Sequence, residues 1–512
     1  MVDLDAYIAA HKFGLGARYD EVANIGADPQ AWLQAQLTSV SSTLEEYNLP
    51  SSQEGIALFY HFLETRRAER ANEQPIASAS VNPKQRIDKF FQEYERMLGE
   101  EELIEDNGVR GSSLQTASNV YLKKHIDNIS RPASDKTSQE LRRDMLAMFY
   151  SEVGVRTVHA ILTPASFRES LVRFWSDHFS VYSQKSLLMT VTAGAMEREA
   201  IRPHVTGKFV DMLIAAETHP AMLIYLDNWI SIGPNSYVGQ NFGFGLNENL
   251  AREIMELHTL GVNGGYSQDD IVGFAKAITG WTIGNPNVQP EQLGNFIFEP
   301  LFHEPGSVNV LNKEYLGTGQ DQGVEVLTDL ANHPNTAAFI SGKLARHFHS
   351  DNPPQSLIDR LELAFTSSDG DLGVVSATLV TSPEMWDGTF AKLRNSEEFV
   401  IATLRAFGVD TLTPGQLIFV FDAVGQVPFG HHAPDGWPKE ESSWASSSIS
   451  SAKINYSDLL SGFIAGQPEP PAMATNILGS MLSASSTSGI SSASSVEQGY
   501  TLMMMSPEFQ RR

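Results

Sequence analysis

Apolar positions recur at helical spacing through most of the chain. Leu171, Phe174, Trp175 and His178 fall at i, i+3, i+4 and i+7, which is one face of a helix. Leu141 to Phe149 repeats that spacing. Prolines stand where first-turn prolines belong, in Thr163-Pro164, His219-Pro220, His333-Pro334, Ser382-Pro383-Glu384 and Ser506-Pro507-Glu508. Ser382 and Ser506 are expected as N-caps, with the following acid favouring the helix dipole. His219 and His333 take plain capping roles on the same logic, and Asp371 caps the helix after Gly370. Strand signal is confined to Asn295–Glu299, expected to pair near Val308–Leu311. The pattern predicts a mainly α, multi-helix globular protein with at most a small β element near 295–311. Three regions are expected: a helical, partly charge-rich part over 1–140, a helical core over 141–400, and a Ser-rich part over 401–512 packed on that core.

Composition narrows the chemistry. The 512 residues carry 36 Lys and Arg against 61 Asp and Glu, a net charge of −25. Such a chain repels phosphate backbones, so nucleic acid is not an expected partner. Cysteine is absent, which removes disulfides, thiolate metal sites and cysteine nucleophiles. Any metal must be held by His, Asp or Glu. No apolar run approaches the ~18 residues of a transmembrane helix. The first ten residues lack a basic stretch before an apolar one, so a cytoplasmic location is expected.

Familiar catalytic motifs are missing. There is no Gly-x4-Gly-Lys-Ser/Thr loop, no Gly-x-Ser-x-Gly elbow and no His-Glu-x-x-His. The richest segment is Asn247 to Val262. Read as an α-helix, it puts Glu248, Arg252 and Glu256 on one stripe, where ion pairing explains them. Glu253 lies beside Glu256 on the acidic side. His258 stands apart, on the apolar side with Ile254 and Met255. His178 also lies on an apolar face, one turn after Phe174 and Trp175. Two inward histidines on separate helices can converge. With Glu256 they would make a Zn, Fe or Mn site; with Glu253 and Glu256 they would make an acid–base site. Each can equally be a core histidine bonded to a backbone carbonyl. Trp175, Asp227, Glu248, Arg252 and His303 are candidate pocket residues. Lys343, Arg346 and His347 cluster on one helix and either bind an anion or face solvent.

The ordered stretches His11–Arg18, Phe174–Phe179, His219–Asn228, Asn247–Val262, Gly264–Asp270, Ala277–Trp281, His303–Gly306, His333–Ala337 and Ser382–Glu384 resemble the bacterial family called domain of unknown function 1800. The resemblance covers nearly the whole chain. It implies a neighbour of the DUF 1501 type as a partner, and export to the periplasm, which the N-terminus here does not match. After His303 the family's lysine is absent, since Ser307-Val308-Asn309 follows.

Three functions follow as expectations. The first is an enzyme with a buried His/carboxylate site, metal-assisted hydrolysis being the commonest use of such groups. The second is a haem or iron oxidoreductase, from Trp175-x-x-His178 and His258. The third is a non-catalytic helical partner or scaffold.

Overall fold

A computed structural model describes residues 4–38, 44–73, 136–317, 319–464 and 466–512. The charge run Glu100–Glu105 lies outside the described residues. Arg66–Arg70 belongs to helix α1, Ser52–Glu73.

The fold is mainly α. Its longest described helix, α2 (Ser138–Leu162), opens on a capping box between Thr137 and Glu140, which satisfies two otherwise orphaned amides. It packs against α1 and against helices nearer the C-terminus. Helix α3 (Ser166–His178) is buried on almost every face. Helix α4 (Phe209–Glu217) ends on a fully buried glutamate. Helices α5 (Gln268–Ala277), α6 (Pro334–Phe348) and α7 (Ser396–Phe407) complete the frame of the site. One contiguous hydrophobic core takes in residues from Ala6 through Leu213 and Leu344 to Phe509. Among the described residues no helix is long and apolar enough to cross a membrane.

Among the described residues three helical segments are wound as π-turns: π1 (Ala9–Phe13), π2 (Glu197–Ile201) and π3 (Ile254–His258). The last corrects the expectation of one straight α-helix from Asn247. That helix runs only Asn249–Glu253 before widening. A π-turn holds more residues per turn than an α-helix, so it re-aims whatever follows it. Here that is His258.

The β content among the described residues is two hairpins, and the pairing differs from expectation. Strand β1 (Trp281–Ile283) pairs antiparallel with β2 (Phe296–Phe298), and β3 (Val308–Val310) with β4 (Lys313–Tyr315). The second hairpin turns through Leu311 and Asn312, both with positive φ. That is the arrangement a tight hairpin of matched twist requires, and it commits β3 to its own neighbour. Helix α5 crosses β3 closely. A Cβ on Gly273 would lie 2.2 Å from the Asn309 carbonyl oxygen, so only glycine fits.

Caps follow the sequence in most cases. His219 Nδ1 accepts from the Ala221 amide and His333 Nδ1 from Asn335, each at 3.1 Å. Asp371 and Ser506 cap as expected. Ser382 does not; its hydroxyl bonds back to the Thr378 carbonyl of the preceding helix.

Candidate functional site

The two inward histidines meet. Their ring centroids are 5.9 Å apart. His178 Nε2–H donates to the backbone carbonyl of His258 at 3.1 Å, so its Nδ1 is left as an acceptor. Lys343 Nζ, from α6, donates to that Nδ1 at 2.8 Å. Burial, then the Lys343 cation, push His178 well below the ordinary histidine range. Burial pulls the Lys343 ammonium down to about 8, against the opposing charge of Asp435, while Arg346 adds to the fall. Lys343 is only partly buried, so it forms the outer end of the chain of contacts.

The inner end is a buried pair. His258 Nδ1 lies 2.7 Å from Glu217 Oε1, and both side chains are 0% exposed. The contact is short but poorly aligned. Neither side chain has a well-directed hydrogen bond among the described residues. Polar groups so deeply buried ordinarily have one, so this pair needs an explanation beyond packing. The π3 turn supplies part of it, because it brings His258 round to face α4.

Further titratable groups lie near the pair. Burial raises the Glu253 carboxyl, Glu256 adds to the rise and His258 opposes it. Tyr225 is raised by burial, then by Glu253 and Asp435. Its hydroxyl donates to the His432 carbonyl at 2.8 Å. Elements far apart in sequence thus converge here: α3, α4, π3, α6 and the loop around Asp435.

Several expected site residues lie elsewhere. Glu248 and Arg252 pair at 2.9 Å, and Arg252 lies 3.7 Å from Glu256, so the acidic stripe is a half-exposed ion-paired face. Glu256 also engages Tyr266. His303 is a loop pin: Nδ1 meets the Thr279 carbonyl at 2.9 Å and Nε2 accepts from the Gly319 amide at 3.2 Å. Asp227 pairs with Lys185 at 2.7 Å. Trp175 is core, packed on Phe174, His178 and Phe209. Sequence reasoning missed Glu217 and Asp435 altogether. It noticed Lys343 without giving it a partner.

The donor set does not suit a metal. Among the described residues no three His, Asp or Glu side chains are grouped to hold an ion. His178, His258 and Glu256 fail as a set because an ammonium occupies His178 Nδ1 and Glu256 serves Arg252. A haem fits no better. Both His178 nitrogens are engaged, and Phe179 packs against both imidazoles, with ring centroids at 4.6 and 5.2 Å.

A family model described as protein of unknown function (DUF1800) matches residues 8–511. No curated protein and no solved structure matches the chain.

Proposed function

The chain belongs to the DUF1800 family of proteins of unknown function, and on that premise we propose that it is an enzyme in which Lys343 is the general base. The observation that carries the reading is the Lys343–His178 contact at 2.8 Å in a setting that lowers the lysine to about 8. A lysine so placed keeps a useful neutral fraction near neutral pH, which an ordinary lysine does not.

His178 does not titrate alongside it. Its Nε2–H is fixed on the His258 carbonyl, so Nδ1 holds one Lys343 proton in place and turns the rest of the amine outward. His258 and Glu217 fix that carbonyl from behind. In this reading they are positioning residues. Glu253, half-buried with a raised carboxyl, is the group placed to return a proton as general acid. Asp435 holds part of the lysine's charge until substrate displaces it.

The test uses 4-nitrophenyl acetate as the probe. Acylation reads the same neutral amine that a general base needs: its attack forms an amide bond to Lys343, releases nitrophenolate and frees one proton to solvent. The rate of release is expected to rise with a midpoint near pH 8 and to vanish in Lys343→Met. Mass spectrometry should place the acetyl group on Lys343. If Lys343 labels with the pH dependence of an ordinary lysine, near ~10.4, the reading fails.

A further inference from the structure

A second feature stands beside this site, on the flank of α3 that carries Phe174 and Asp177. A cleft of about 70 Å³ opens between α3, the start of α7 and the loop 426–439. That volume holds a few water-sized groups. Its lining is dense in charge, and cations outnumber carboxylates five to three, although the whole chain carries −25.

Most of these charges are already matched. Arg156 and Arg173 share Glu397. Lys439 pairs with Asp177, whose other oxygen accepts from the Trp437 amide at 2.9 Å. Lys392 is held by Asp351, which lies outside the lining. Arg512 differs. It is 3% exposed and its Nη2 donates to Glu398 at 2.6 Å. Its Nε and Nη1 have no partner among the described residues. Two idle donors on a buried guanidinium are costly unless something accepts from them.

The cleft is also lined by aromatic side chains, Phe429, Trp437 and Trp444. Phe429 holds φ at +57°, a conformation a bulky residue adopts only when its surroundings enforce it. Its ring lies under the Arg156 guanidinium, 5.3 Å from the centroid. Trp437 and Trp444 lie beside each other, their rings 6.1 Å apart and inclined by 51°.

We propose that this cleft binds a small flat organic oxyanion, its carboxylate or phosphate on Arg512 and its body against Phe429 and Trp437. The inference does not depend on Lys343. It stands on the idle donors and on the aromatic side chains that line the same cleft.

The full chain is titrated with benzoate and, separately, with inorganic phosphate, at ionic strength fixed with chloride. Tryptophan fluorescence and thermal shift are the readouts. Saturable binding of benzoate is expected, with phosphate weaker. Arg512→Gln should weaken benzoate by about tenfold or more, the usual scale for a charge-assisted contact. Phe429→Gly relieves the positive φ and removes the ring. It should weaken benzoate while leaving phosphate unchanged, and it serves if Arg512→Gln does not fold. No saturable response to either anion overturns the proposal. So does benzoate binding that neither substitution changes.

Discussion

Two buried histidines in this molecule are wired alike and end differently. His11, on π1, and His178, on α3, are each 1% exposed. Each directs Nε2 at a distant backbone carbonyl, Ile477 for His11 at 2.9 Å and His258 for His178 at 3.1 Å. Each offers Nδ1 to a cation, Arg394 at 3.0 Å and Lys343 at 2.8 Å. Arg394 is itself buried and also donates to the Phe509 and Arg511 carbonyls. It ties the N-terminal turn to the C-terminal segment. Lys343 is only part-buried, and its other neighbour is the Phe339 ring, 5.4 Å from its nitrogen. Burial lowers Arg394 as well, to about 9, but its delocalised guanidinium keeps its protons at neutral pH, where a desolvated ammonium gives one up more readily. Under the proposed function the same local geometry is a strut at one place and a source of chemistry at the other, and the cation decides which.

Substituting the cations is the strongest way to break that comparison. Arg394→Met strands His11 Nδ1 and two carbonyls, and should cost on the order of 5 kcal/mol at ~1–3 per stranded group. Urea denaturation measures it, and amide exchange should show the first and last segments loosening together. Next in size is His258→Leu, which leaves the Glu217 carboxylate alone in the core at a cost of about 3–5 kcal/mol. The double substitution with Glu217→Leu should recover much of that loss. If it recovers nothing, the two residues do not act as a pair.

Acid should expose both histidines. Burial, Arg394 and, more weakly, Arg405 drive His11 down to about 3, and His178 is also lowered. Below the ordinary 6.5 the unfolded chain binds a proton that the folded chain refuses. Stability is therefore full above that value and falls as pH drops toward 3. The slope is about 1.4 kcal/mol per pH unit for each histidine. A midpoint in urea that does not change between pH 6.5 and pH 4.5 would contradict this.

Lys343→Met carries the opposite sign to Arg394→Met. Removing a partly buried ammonium should raise stability at neutral pH by up to ~1 kcal/mol, because its desolvation is relieved. A loss as large as that of Arg394→Met would make Lys343 a second strut and erase the distinction. The smallest effect belongs to the half-exposed stripe. Arg252→Ala should change stability by only ~0.3–0.5 kcal/mol, read by thermal denaturation.

Much of this was legible in the chain before its structure. Helical periodicity gives the mainly α fold, and Pro after His219 and His333 gives their capping. The charge order Glu248, Arg252, Glu256 gives the ion-paired stripe. The inward faces of His178 and His258 give their approach. The rest depended on contacts between distant segments. Glu217 ends an ordinary amphipathic helix and nothing local marks it. Lys343 is 165 residues from His178, and its partner cannot be read from its own helix. His303 looked like a pocket residue because loop histidines often are; here both its nitrogens hold the loop itself. The sequence suggests pairing 295–299 with 308–311, because two adjacent strand signals do not reveal that each has a nearer partner.

The three π-turns carry a consequence for how this chain tolerates change in length. Each contains roughly one residue more than an α-helical path across the same distance would use. Each also bears polar groups the core relies on. π1 holds His11 and Lys12. In π2, Glu197 binds Arg156 and Arg202 at 2.6 and 2.7 Å, while Glu199 binds His219 at 2.9 Å. π3 holds His258. Removing one residue at any of these places would let the helix close into a more regular form. It would also turn everything beyond it by about a third of a revolution. In a one-residue deletion scan, these three helical sites should be where a tidier backbone leaves the worst protein.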